Sequence, residues 1–132
     1  MSAAETPSAD PMDLAVRAAE KLFAKGRVGA GDIDALILCT MTPDYQLPAT
    51  ACLVQTRLGL PKTSAAFDLN MGCTGYIYGL GLAKGLIETG QARNVLFITS
   101  ETLSKLLRAD DKGSRTIFGD GAAATWLSGA PG

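Results

Sequence analysis

The stretch Phe67-Asp68-Leu69-Asn70-Met71-Gly72-Cys73-Thr74-Gly75-Tyr76 holds the residue best suited to chemistry. A strand pattern runs through a glycine directly into a helix pattern, with a cysteine at the turn. That is the layout of a nucleophile elbow. Gly72 and Gly75 let backbones pass closely, and Cys73 falls at a helix N-terminus. Partial positive charge at such a terminus favours thiolate over thiol, and the thiolate is the nucleophile. Acyl transfer through Cys73 is therefore one reading. The other is a small buried cysteine beside a packing glycine.

Other residue types narrow the chemistry. The chain has no histidine, so Ser-His-Asp and Cys-His mechanisms have no partner within it, and the common His-based metal sites are absent. The remaining cysteines, Cys39 and Cys52, fall in a strand and on a helix face and read as core. The 3 cysteines are widely spaced with no CxxC pair, which argues against a zinc site and a disulfide framework. A reduced, cytosolic setting is expected. Gly119-Asp120-Gly121 lacks phosphate-loop spacing and reads as a tight turn beside the site. No metal or cofactor is called for.

The elements that must position Cys73 follow from periodicity. Residues 1–9 are small and polar and read as a frayed tail, with residues 10–132 as one small domain. Asp10 and Pro11 start a helix with Leu14, Ala15, Ala18, Ala19, Leu22 and Phe23 at helical spacing, ended by Gly26. Residues 33–40 form a buried strand, then 41–47 a loop. Pro48 opens a second helix with Cys52, Leu53 and Leu58 inward and Gly59 as stop. Residues 65–69 are a strand, and about 74–88 a third helix stopped by Gly90, with Tyr76, Ile77 and Leu80 as core. Residues 94–99 are a strand, 101–113 a polar connection, and 122–127 a last strand. Alternating strands and helices predict an α/β fold of βαβ units around a parallel or mixed sheet.

Composition agrees with a small domain that buries part of its surface against something else. The chain is 132 residues, with 12 basic and 13 acidic side chains and a formal charge of −1. That balance gives no nucleic-acid footprint. Charged residues are 19%, against a usual ~25%, and hydrophobics are 47%, so much surface should be buried against something else. The N-terminal residues show no signal-peptide pattern, and no run is long and apolar enough to span a membrane.

The stretch 65–80, AAFDLNMGCTGYIYGL, resembles the nucleophile segment of the β-ketoacyl-acyl-carrier-protein synthase III family of thiolase-like condensing enzymes. Residues 32–59, 94–105 and 111–127 resemble further blocks of that family in order and spacing. The resemblance implies a thiolase-like layered fold. It implies that Cys73 takes an acyl group from acyl-CoA and passes it to a carbanion from decarboxylating malonyl-acyl-carrier protein. It implies that Leu47 reaches the partner subunit's acyl pocket in a homodimer. Lys112 stands where the family often has an arginine contacting the CoA nucleotide. Family members are more than twice as long and use a histidine and an asparagine from a C-terminal half. The resemblance therefore implies that residues 10–132 are a partial N-terminal thiolase-like domain, an internal piece of the first half. A related CoA-dependent condensing enzyme or acyltransferase and a non-catalytic partner subunit remain open as alternatives.

Overall fold

The computed structural model describes residues 10–129. The expected tail at residues 1–9 lies outside the described residues. The elements in chain order are helix α1 (Pro11–Phe23), strand β1 (Ala35–Cys39), helix α2 (Thr50–Leu58), β2 (Ala65–Leu69), α3 (Gly75–Glu88), β3 (Asn94–Thr102), a short helix α4 (Lys112–Ile117) and β4 (Asp120–Ser128). Single 3₁₀ turns lie at Ala30–Asp32 and Leu103–Lys105. They form one sheet in the order β2-β1-β3-β4. β1 pairs in parallel with β2 and β3, while β3 and β4 are antiparallel from Asn94↔Ser128 to Thr102↔Asp120.

The chain steps from β1 to β2 in one direction and then back past β1 to β3. A right-handed crossover in each case requires the two connecting helices to lie on opposite faces. Accordingly α2 joins α1 over Leu36, Leu38, Leu96 and Ile98. Helix α3 covers Ile37, Cys39 and Phe97 on the other face. β1 is buried at every position, because it has a strand on each side and helices above and below.

The last strand departs from the expectation. β4 runs antiparallel because Asp120 accepts hydrogen bonds from the Ser104 backbone N–H (2.9 Å) and hydroxyl. That pins the start of β4 to the end of β3, so the strand must run back. Asp120 and Gly121 are thus paired strand residues opposite Thr102 and Glu101, and the expected glycine turn is absent. β3 is a central strand, paired on both sides.

The helix faces also differ. In α2 the buried residues are Thr50, Ala51 and Val54, with Cys52, Leu53 and Leu58 only half-buried. In α3 the inward residues are Gly75, Gly79 and Ala83. Tyr76 and Ile77, expected in the core, are 43% and 69% exposed, and Leu80 is half-buried. The reason is the size of what lies beneath. A Cβ on Gly79 would stand 2.0 Å from the Phe97 ring, and one on Gly75 2.4 Å from Cys39 Sγ. The helix packs through glycine because the sheet residues fill the space.

Helix α1 starts at Pro11 and stops earlier than expected, at Phe23, with Gly26 at φ +77° two residues past the cap at Ala24. The Asp10 side chain makes no cap but pairs with Lys105. Helix α2 is capped from another element. The Asp68 carboxylate on β2 accepts from Thr50 N (2.9 Å) and Ala51 N (2.7 Å), satisfying two orphan donors. Gly59 and Gly90 stop their helices in the left-handed region, as expected.

Candidate active site

The site forms at the carboxyl ends of the parallel strands, where open α/β sheets place their clefts. A cleft of about 340 Å³ is lined by Cys39, Met41, Met71, Gly72, Cys73, Tyr76, Thr99, Glu101, Leu103 and Phe118. Except for Thr99 and Glu101, its walls are apolar or sulfur-bearing. A larger groove of about 500 Å³, lined by Asp34, Ser64 and Arg93 among others, contains no cysteine.

Cys73 is exposed and sits directly before Thr74, the N-cap of α3. The turn that delivers it is held by its own backbone. Met71 N–H donates to Leu69 O (3.1 Å), and Gly75 N–H donates to Gly72 O (2.8 Å). Met41 lies against this turn, so that a Cβ on Gly72 would stand 2.8 Å from its Sδ. Glycine there lets the loop after β1 close on the residue preceding the cysteine.

The other thiols have different surroundings. Cys39 is 2% exposed, and its Sγ–H donates to Met71 O at 3.4 Å. Burial pushes its thiol up, against the lowering effect of the Met71 bond. Its assignment to the core holds. Cys52 is half-buried, with Sγ 3.8 Å from Ala66 O. All 3 cysteines are free.

The structure brings Cys73 into the cleft but neither Leu47 nor Lys112 among its lining residues. Leu47 is 89% exposed on the loop before α2. Lys112 is the exposed first residue of α4, a helix capped by Asp111 accepting from Ser114 N at 3.0 Å. Sequence reasoning missed Glu101. Its Oε1 accepts from Met41 N (2.8 Å), and its Oε2 accepts from Thr42 Oγ1 (2.9 Å), with Thr40 Oγ1 at 3.4 Å. The available signal was a carboxylate soon after an apolar run, in Val95-Leu96-Phe97-Ile98-Thr99-Ser100-Glu101. Among the described residues no cluster of His, Cys, Asp or Glu could hold a metal, and no helix is long and apolar enough to cross a membrane.

Comparison with known proteins bears on this arrangement. The 3-oxoacyl-[acyl-carrier-protein] synthase III family description matches residues 67–132, which include the end of β2, the cysteine turn and everything after it. A beta-ketoacyl-[acyl-carrier-protein] synthase III of Clostridium perfringens (strain 13 / Type A) is 51% identical over 116 residues, covering 88% of this chain and 36% of the relative. A 2.1 Å crystal structure of a 3-oxoacyl-(acyl-carrier-protein) synthase III has 55% identity and a TM-score of 0.93, over 96% of this chain and 38% of that one. The Aquifex aeolicus 3-oxoacyl-[acyl-carrier-protein] synthase III has 35% identity and a TM-score of 0.88, over 95% and 40%. The chain thus spans little more than a third of the length of the curated relatives it matches. On the family match over residues 67–132 and this agreement in sequence and fold, the chain belongs to the 3-oxoacyl-[acyl-carrier-protein] synthase III family.

Proposed function

We propose that the chain is the nucleophile-bearing part of a condensing enzyme, with Cys73 as the residue that carries the acyl group. The observation that carries this reading is an exposed thiol, delivered by a glycine turn to the mouth of an apolar cleft. In the first step the Cys73 thiolate attacks the thioester carbonyl of acyl-CoA. A new carbon–sulfur bond forms, the bond to CoA breaks, and CoA leaves as a thiolate that solvent protonates. In the second step malonyl-acyl-carrier protein loses carbon dioxide. Its enolate carbon attacks the acyl-enzyme carbonyl, and Cys73 departs as thiolate. The apolar cleft accommodates the acyl chain.

Enolate stabilisation falls to the histidine and asparagine that the family resemblance implies. This chain has no histidine, so that step belongs to residues outside these 132. The outer face of α3, with Ile77, Tyr78 and Leu82 exposed, is available to such a second half. The exposure of Leu47 supports a reach into the acyl pocket of a second copy in a homodimer, and the Lys112 ammonium is free to approach a CoA phosphate. Acyl-CoA and acyl-carrier protein are the partners in this reading, with no nucleic acid and no membrane. The setting is cytoplasmic and the reaction needs no cofactor.

The test is incubation of the 132-residue chain with radiolabelled acetyl-CoA, followed by malonyl-acyl-carrier protein. Weak labelling of the Cys73 peptide is expected, with none in Cys73→Ala and no ketoacyl product from the chain alone. Equal labelling of Cys73→Ala would overturn the assignment.

A further inference from the structure

We infer that Glu101 is a positioning residue: its carboxylate fixes the Met41 wall of the cleft, and so sets how the cleft binds the chain carried by Cys73. This rests on Cys73 being the nucleophile, although not on the identity of the acyl donor.

The geometry is specific. Glu101 projects from the end of β3, beyond the stretch paired with β1, whose last partner pair is Cys39↔Thr99. It reaches across to the loop that follows β1 and takes one donor on each oxygen, Met41 N at 2.8 Å and Thr42 Oγ1 at 2.9 Å. The Thr42 hydroxyl oxygen accepts in turn from Thr102 N at 2.9 Å, so the bridge is anchored twice to β3. Thr42 N donates to Thr40 Oγ1 at 3.0 Å, which tightens the same turn. Met41, held by its backbone, lays its thioether on Gly72, the residue before Cys73. Glu101 itself lines the cleft. A hydrogen bond to a charged acceptor is stronger than a neutral one, so a carboxylate suits the task of fixing a loop that has no strand partner at Met41.

The link runs from Glu101 to Met41 N–H to the Met41 side chain to the cleft wall. Its removal should weaken binding of an apolar tail while leaving the intrinsic reactivity of the thiol alone. The experiment uses the full 132-residue chain and a series of N-alkyl chloroacetamides with progressively longer tails. Cys73 alkylation is followed by mass spectrometry against reagent concentration, which separates the binding constant from the maximal rate. Iodoacetamide, which has no tail, reads reactivity alone, and thermal melts monitor folding.

For Glu101→Ala the tail-dependent binding constant should weaken about fivefold, with the iodoacetamide rate within about twofold of the parent. Glu101→Gln retains a neutral acceptor for Met41 N–H and should recover most of the parent value. Met41→Ala should reproduce the weakening, and adding Glu101→Ala to it should cost nothing more, because the two act through one contact. Unchanged tail binding in Glu101→Ala, or full additivity with Met41→Ala, would overturn the inference. Should Glu101→Ala not fold, Thr42→Val removes the donor to the second oxygen and should weaken tail binding about twofold; no change there would equally refute it. None of these reagents contains CoA, so failure of the acyl-CoA reading leaves this result readable.

Discussion

The two faces of the sheet are built to different specifications. On one, α1 and α2 cover Leu36, Leu38, Leu96 and Ile98 completely, with Ala15, Ala19, Ala51 and Val54 at 0% exposure. Both helices turn charged residues outward, including Arg17, Glu20 and Arg57. On the other face α3 stands alone. It packs through Gly75, Gly79 and Ala83, and presents Ile77, Tyr78 and Leu82 outward, with Lys84 and Glu88 as its charged residues. The first face is a finished core. The second is half of one, and the cysteine turn sits at its upper end. This exposed apolar surface adjoins the cysteine turn.

The largest expected consequence is association. Contiguous exposed apolar surface marks an interface or an aggregation hazard. The isolated chain is expected to run as a dimer or larger species in size exclusion with light scattering. A cooperative monomer at every dilution would show that the open face needs no cover.

A pair of truncations sets the two faces against each other. Leu38 is fully buried on the closed face, and Leu38→Ala should cost about 2–5 kcal/mol in chemical denaturation. Ile77 is 69% exposed on the open face. Ile77→Ala should change stability by less than about 0.5 kcal/mol while reducing association. Comparable costs would erase the distinction between the faces.

Within α3 the glycines divide in the same way. Gly79→Ala drives a methyl into Phe97, whose ring is already stacked on Tyr76 with centroids 5.6 Å apart. A cost of about 1–3 kcal/mol is expected. Gly81 has nothing within 4 Å of a built Cβ, so Gly81→Ala should stabilise by about 0.5–1 kcal/mol through helix propensity. A melting series of the two variants checks the opposite signs.

This contrast also explains what was legible in the sequence. β2 at Ala65–Leu69 matches its expected bounds, and the Gly59 and Gly90 stops were readable, because apolar runs and left-handed glycines are local signals. The cysteine turn was readable for the same reason. The faces of α3 were not. Large apolar residues read as inward, yet the sheet presents Phe97 and leaves room only for glycine. The direction of β4 depends on Asp120 reaching Ser104, a contact 16 residues apart. The role of Glu101 depends on Met41, 60 residues away. Neither separation leaves a periodic trace.

The smallest effect expected is electrostatic, on the closed face. Arg57 of α2 donates to Asp13 of α1, tying the outer edges of the two helices. That hydrogen bond, with the Arg57 charge beside it and against the raising effect of burial, holds the Asp13 carboxyl below its ordinary 3.8. A carboxylate lowered on folding stabilises the native state above its unfolded pKa, and the gain is lost as pH falls through the folded value. Both side chains are well exposed, at 43% and 38%, so solvent screens the pair. Asp13→Asn should therefore cost less than about 0.5 kcal/mol at neutral pH. The difference from the parent should shrink in high salt and vanish as pH is taken below the ordinary aspartate range, in denaturation curves run at each condition. A cost that persisted in acid would mean that the pair acts through packing of its aliphatic stems rather than its charges. The closed face would then owe more to its rim, and less to Leu38 and its neighbours, than its burial indicates.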